Sequence, residues 1–214
     1  MNWSGYIDIY CERLEPGFWA EPVNALTNAA FIVAAMVVWP LVGRTGRFLA
    51  LLVALVGIGS FAYHSTATIW GSALDVGVIA IFSSTYVYLA TRDMLELPHA
   101  WLAPILFVPY LAGTTMIFAQ IPVLQISNTY WALALLIAIY GWLLRDSSSG
   151  SGMFLAAGFL ALSITMRSVD IPLCEAFPLG THFLWHILNG ITLGWLILVY
   201  DRHTRALEPS LEGR

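Results

Sequence analysis

The chain has 214 residues, 59% of them hydrophobic and only 10% charged, with a formal net charge of −4. A soluble domain carries about one quarter charged residues, so this composition specifies a polytopic membrane protein without a sizeable soluble domain. No basic run exists to read nucleic acid, and all nine basic residues are arginine. With no lysine and abundant Ala, Gly and Leu, the composition is that of a GC-rich bacterial gene, which would set the protein in a bacterial inner membrane.

The first residues, Met1 to Trp19, are polar, acidic and aromatic. They lack the basic start and short apolar core of a cleavable signal, so the first span must act as its own insertion signal. Within this segment Asp8, Glu12, Glu15 and Glu21 cluster. Oxygen-rich clusters suit a hard cation such as calcium. A solvated acidic segment is the alternative.

Apolar runs of about 20 residues, the length that crosses a bilayer, follow at roughly 24–43, 47–69, 72–91, 100–120, 127–145, 152–170 and 182–201. The weakest break lies at Ile69-Trp70-Gly71-Ser72, where the combined run is too long for one helix and a tight turn is required. Ser147 to Gly152 reads as a flexible loop by composition. Asp201 to Arg214 reads as a short polar tail that frays. The expected architecture is therefore all-α: one seven-transmembrane helix bundle over 1–201, with 1–23 as an extracytoplasmic segment and 202–214 as a cytoplasmic tail.

Arginine placement orients the bundle. Arg44, Arg47, Arg92, Arg145, Arg202, Arg205 and Arg214 fall on one side if the span count is odd, against Arg13 and Arg167 on the other. The amino terminus is then outside and the carboxyl terminus cytoplasmic. Cys11 and Cys174 both lie outside, where a disulfide is permitted. Two independent thiols are the alternative.

The same topology brings four ionisable groups to similar depth in the outer part of the membrane. His64 lies near the outer end of span two, Asp75 at the start of span three, and His182 and His186 at the start of span seven. Such groups are costly at membrane depth and point to partners or a function. His182 and His186 are i, i+4 and share one helix face; Ser60 lies one turn before His64. Three neutral imidazoles with an open fourth position suit a catalytic zinc, a nearby carboxylate suits proton transfer, and a serine can donate to a developing oxyanion. The plainer readings are interhelical hydrogen bonding for the histidines, helix capping for Asp75 and small-residue packing for Ser60. Arg167 and Asp170, i, i+3, are expected to pair with each other. His99 and His203 fall on the cytoplasmic side and are not expected to be ligands.

With these residues in hand, the chain resembles the alkaline ceramidases, within the wider group of seven-span hydrolases that includes the adiponectin and progestin receptor proteins. The matching stretches are Tyr10-Cys11-Glu12, Ala20-Glu21-Pro22-Val23-Asn24, Gly57-Ile58-Gly59-Ser60-Phe61-Ala62-Tyr63-His64, Leu74-Asp75 and His182-Phe183-Leu184-Trp185-His186-Ile187-Leu188. Ser-x-x-x-His, an aspartate eleven residues later and a late His-x-x-x-His are specific in combination. The resemblance implies zinc on His64, His182 and His186, with Asp75 as acid/base and Ser60 near the metal. It implies hydrolysis of the ceramide amide to a sphingoid base and a fatty acid. It also implies a Cys11–Cys174 disulfide and an amino-terminal calcium site, for which Glu12 and Glu21 are the candidate ligands. Asp8-Ile9-Tyr10-Cys11-Glu12 stands where eukaryotic members carry Asp-Trp-Cys-Glu. The expected function is an intramembrane zinc amidohydrolase acting on ceramide or another N-acyl lipid. A lipid-binding, receptor-like protein with a structural zinc is the alternative, and an ion transporter is a third reading.

Overall fold

The computed structural model describes residues 2–211. Helices dominate, with one isolated bridge between Tyr6 and Thr68 as the extended pairing among the described residues. The chain forms α1 (Pro22–Thr27), α2 (Ala29–Val38), α3 (Arg44–Thr66), α4 (Ile69–Leu89), α5 (Leu102–Phe118), α6 (Asn128–Leu143), α7 (Ser148–Ser168) and α8 (His182–Leu211). Six helical stretches are long and apolar enough to cross a membrane: Pro22–Leu41, Arg44–Thr66, Ile69–Met94, Gln125–Leu143, Ser148–Ser168 and His182–Leu207. The helix α5 is shorter, with 17 residues, and carries Pro109 inside it. Large apolar side chains such as Val33, Leu55, Ile58, Leu106, Met116 and Phe154 are exposed on the bundle exterior. Helices that keep their backbone hydrogen bonds within themselves and turn such side chains outward are suited to a lipid surround.

The first span is two helices joined at Asn28. Pro22 opens α1, where its missing N–H costs nothing. The cap comes from outside: the Glu12 carboxylate accepts from Val23 N at 2.7 Å and Asn24 N at 2.8 Å. Gly57 lets α2 approach α3, since a β-carbon there would stand 3.0 Å from Asn28 O and 2.9 Å from Phe31 Cβ. The break between α3 and α4 falls at Ala67–Thr68, slightly earlier than the sequence suggests. Ala67 takes a left-handed conformation with φ 45°, and the Thr68 hydroxyl accepts from Gly71 N at 3.3 Å. The amino-terminal segment docks on this turn through Ile7 N to Ala67 O at 2.7 Å and Ile69 N to Gly5 O at 3.0 Å.

The helix α8 packs against α2, α3 and α7, and α3 packs on α4. Their shared core includes Leu49, Val53, Val56, Met153 and Ile197. A π turn over Ala90–Met94 closes the fourth helix. The helix α4 ends near Asp93, which accepts a hydrogen bond from Tyr200, while the region before α6 meets Arg167 at the opposite end. The segment carrying α5 therefore returns the chain from one end of the bundle to the other.

Two local expectations are corrected. Ser148 to Gly152 is not a flexible loop but the first turn of α7, with Ser149 Oγ held 2.7 Å from His203 Nδ1. The chain does not fray at Asp201 either, since α8 runs on to Leu211. Asp201 accepts from Gly43 N at 2.7 Å and pairs with Arg205 at 2.7 Å, which fixes the helix beyond the apolar run. Arg214 lies outside the described residues.

Candidate metal centre

His64 comes from the last turns of α3, and His182 and His186 from the first turns of α8. All three are buried, with exposures of 1%, 1% and 0%. His64 Nε2 stands 3.1 Å from His186 Nε2 and 3.3 Å from His182 Nε2. Hydrogen-bond logic makes this meeting unusual. His64 Nδ1 lies 2.7 Å from Glu21 Oε2, an acceptor, so Nδ1 carries a proton, and in the neutral imidazole that metal binding requires Nε2 is bare. His186 Nδ1 lies 3.0 Å from Thr27 Oγ1, whose own proton goes to Val23 O at 2.7 Å. His186 Nδ1 is therefore also the donor, and its Nε2 is bare too.

With both imidazoles neutral, two lone pairs face each other at 3.1 Å. A proton on His182 Nε2 could serve only one neighbour, and its Nδ1 has no partner. A cation resolves the arrangement. Ligand nitrogens 2.0–2.1 Å from a tetrahedral zinc lie about 3.3–3.4 Å apart, so the observed spacing fits. The three potential ligand atoms lie within 4.8 Å of one another, and this is the metal-competent group of His, Cys, Asp and Glu among the described residues.

Elements remote in sequence hold the ligands in place. Tyr10 stacks on His182, ring centroids 3.7 Å apart, and burial pushes its phenol above the usual tyrosine range. Asp170 accepts from Thr181 N at 2.7 Å, His182 N at 2.8 Å and Cys11 N at 2.9 Å. It so ties the start of α8 to the amino-terminal segment. Gly180, with φ +69°, makes the preceding turn, where a β-carbon would overlap the Asp170 side chain. Cys11 and Cys174 form the disulfide that the resemblance implies, with Cα atoms 5.5 Å apart. Arg167 does not pair with Asp170, because Asp170 is turned to those backbone donors. Arg167 instead donates to Ser127 Oγ at 3.0 Å and lies over the rings of Tyr10, Tyr130 and Trp185.

The calcium expectation for Glu12 and Glu21 does not match where the structure puts them. Glu12 caps α1, as described. Glu21 pairs with Arg13 at 2.5 Å and accepts from Asn24 Nδ2 at 3.1 Å and from His64. Its oxygens are already engaged by donors, which a hard cation would have to displace. Burial acts to raise the Glu21 carboxyl, but the hydrogen bonds from His64, Arg13 and Asn24 outweigh it. They hold the group below the ordinary carboxylate range. Asp8 and Glu15 are exposed.

Ser60 and Asp75 line one cavity beside the three-histidine group. Asp75 Oδ1 is buried with no protein partner. From this polar end the cavity runs between α4, α6 and α8, past Ile79 and Phe82 to Ala90. Ala90, at the start of the π turn that closes the fourth helix, follows Asp75 by 15 residues, a length of about 22 Å. Half of a hydrocarbon core is about 15 Å, so the cavity is long enough for an acyl chain of one leaflet.

Fold and site together define a multi-pass membrane protein with a buried three-histidine group able to bind a metal ion. No family model matches this chain, and no curated protein matches it. The likeness to the alkaline ceramidases rests on the motifs named above.

Proposed function

We propose that the protein is an intramembrane zinc-dependent amidohydrolase. It would cleave the N-acyl amide of ceramide or a related lipid to a free amine and a fatty acid. The observation that carries this reading is the joining of three features: imidazole nitrogens converging at 3.1 and 3.3 Å, the unpartnered Asp75 oxygen and the long apolar cavity.

His64, His182 and His186 would hold the metal. A zinc ion so held polarises an acyl carbonyl and lowers the pKa of water. Asp75 takes the proton from the attacking water and returns it to the amide nitrogen, so that water and amide become carboxylic acid and amine. Ser60 orients the Asp75 carboxyl group. The cavity binds the acyl chain and excludes bulk water from the reacting carbonyl.

Seven spans with the amino terminus outside complete the proposal. The return of the chain through α5, about 25 Å long, supports the odd count. The arginines support the orientation, because Arg47, Arg92, Arg145 and Arg202 lie over Trp39, Tyr88, Trp142 and Trp195 at the end away from the histidines. A bacterial inner membrane fits the composition.

The test is metal content and turnover of a fluorescent ceramide by wild type, His186→Ala and Asp75→Asn, purified without chelator. The expected result is about one zinc per chain in wild type, loss of metal and turnover in His186→Ala, and loss of turnover alone in Asp75→Asn. Zinc-loaded wild type that binds N-acyl lipids without hydrolysing any would replace the enzyme with a lipid receptor.

A further inference from the structure

The cavity is almost wholly apolar below Asp75, and three of the polar groups deeper in it have partners. The Thr192 hydroxyl donates to Leu188 O at 2.8 Å, the Tyr86 hydroxyl to Leu196 O at 3.0 Å, and Tyr140 pairs with Thr91 at 2.5 Å. Ser83 and Tyr130 also line it but are only half-buried, whereas Asn189 is a buried carboxamide. It lines the cavity, is only 8% exposed, and its carboxamide makes no hydrogen bond to the protein among the described residues. It follows His186 by three residues on α8, which sets it on the same helix face about 4.5 Å deeper. Phe31, Val56, Ile79 and Leu193 are among the apolar residues that line the same cavity.

A carboxamide carries two donors and an acceptor, and leaving them unmatched in an apolar membrane interior is costly. A plain methylene chain offers it nothing. A hydroxyl on the chain both donates and accepts. We infer that Asn189 is a specificity residue for an acyl chain carrying a hydroxyl within its first few carbons, such as a 2- or 3-hydroxyacyl group. This inference rests on the amidohydrolase reading for the placement of the chain. With the scissile carbonyl at the three histidines and the chain running down the cavity, those carbons pass one helical turn below His186, alongside Asn189. A site built to hydrogen-bond a substrate hydroxyl discriminates against the chain that lacks it, because its own polar group is then left unpaired.

The test uses zinc-loaded, full-length protein in lipid nanodiscs. Two N-acyl lipids that differ only in a 3-hydroxyl on the acyl chain are compared for kcat/KM. The matching free fatty acids are compared for displacement of a fluorescent fatty acid, a readout that needs no turnover. Wild type is expected to favour the hydroxylated member by about tenfold or more in both assays. Asn189→Leu is expected to bring the ratio within about twofold, mainly by binding the plain chain better, with zinc content unchanged. Asn189→Ser, smaller and still polar, is expected to fall between the two and serves where the leucine variant fails to fold. Equal treatment of both chains by wild type overturns the inference while leaving the hydrolase reading intact. A preference that persists in Asn189→Leu also overturns it. Selective displacement by the hydroxylated acid, lost in Asn189→Leu, with neither amide hydrolysed would remove the hydrolase reading and keep the role of Asn189.

Discussion

Replacing Glu21 by Gln separates a metal-support role, proposed from its contact with His64, from the calcium role expected from sequence. Glu21 faces His64 Nδ1 with one oxygen and Arg13 with the other, and all three residues are at most 3% exposed. Gln retains one acceptor oxygen and puts an N–H₂ where the second stood. It can therefore serve His64 or Arg13, but not both. If the amide turns its nitrogen to His64, the imidazole loses the acceptor that fixes its tautomer. Loss of such a partner costs 10–100-fold in metal affinity, or about 1.4–2.7 kcal/mol. Arg13 loses its carboxylate but keeps acceptors at His64 O, 2.7 Å away, and Gly17 O, 3.1 Å away. The accompanying stability loss should thus sit at the low end for a broken buried pair, about 3 kcal/mol. Competition against a chromophoric zinc chelator measures the first quantity, and thermal unfolding of the metal-free protein the second. Arg13→Met is the control, because it destabilises while leaving the Glu21–His64 contact in place. Zinc affinity within twofold of wild type in folded Glu21→Gln protein would refute the argument. Stabilisation of wild type by calcium, absent in the variant, would restore the sequence expectation.

Other outcomes follow from the same contacts. Removing the disulfide with Cys11→Ser and Cys174→Ser should destabilise by about 2–5 kcal/mol, and loosening of the Tyr10 stack on His182 should weaken zinc retention; calorimetry and metal analysis check both. Acid should act in two stages. Imidazoles bind metal only when neutral, so falling pH releases zinc first. The Glu21 carboxyl is held below its unfolded value, so its stabilisation is complete above that value and is lost only as pH falls through the depressed one. Zinc release and unfolding followed along one acid titration should therefore separate, and a single coincident transition would contradict the assignment. Gly180→Ala places a β-carbon against Asp170 at positive φ. It should cost at least about 1 kcal/mol and lower zinc affinity, because Asp170 holds the backbone N–H of His182.

The membrane class and the helix positions were legible in the sequence because a spanning helix satisfies its backbone within itself. Its existence is a local property of an apolar run. The shared depth of His64, Asp75, His182 and His186 follows from the same counting, and the structure brings the three histidines together and sets Asp75 beside Ser60 in the adjoining cavity. Local composition misled where small residues begin a helix, at Ser148 to Gly152, and where contacts from Gly43 and Arg205 carry α8 beyond its apolar run. What only the tertiary structure decided is who satisfies each buried polar group. Glu21 meets His64 across 43 positions, and Thr27 meets His186 across 159. Asp170 turns from Arg167, its neighbour in sequence, to the backbone of Cys11 and His182. Hydrogen-bond partners of buried groups come from whichever elements the packing makes adjacent. The convergence of the histidine nitrogens and the unmatched amide of Asn189 therefore become visible only once the helices are assembled.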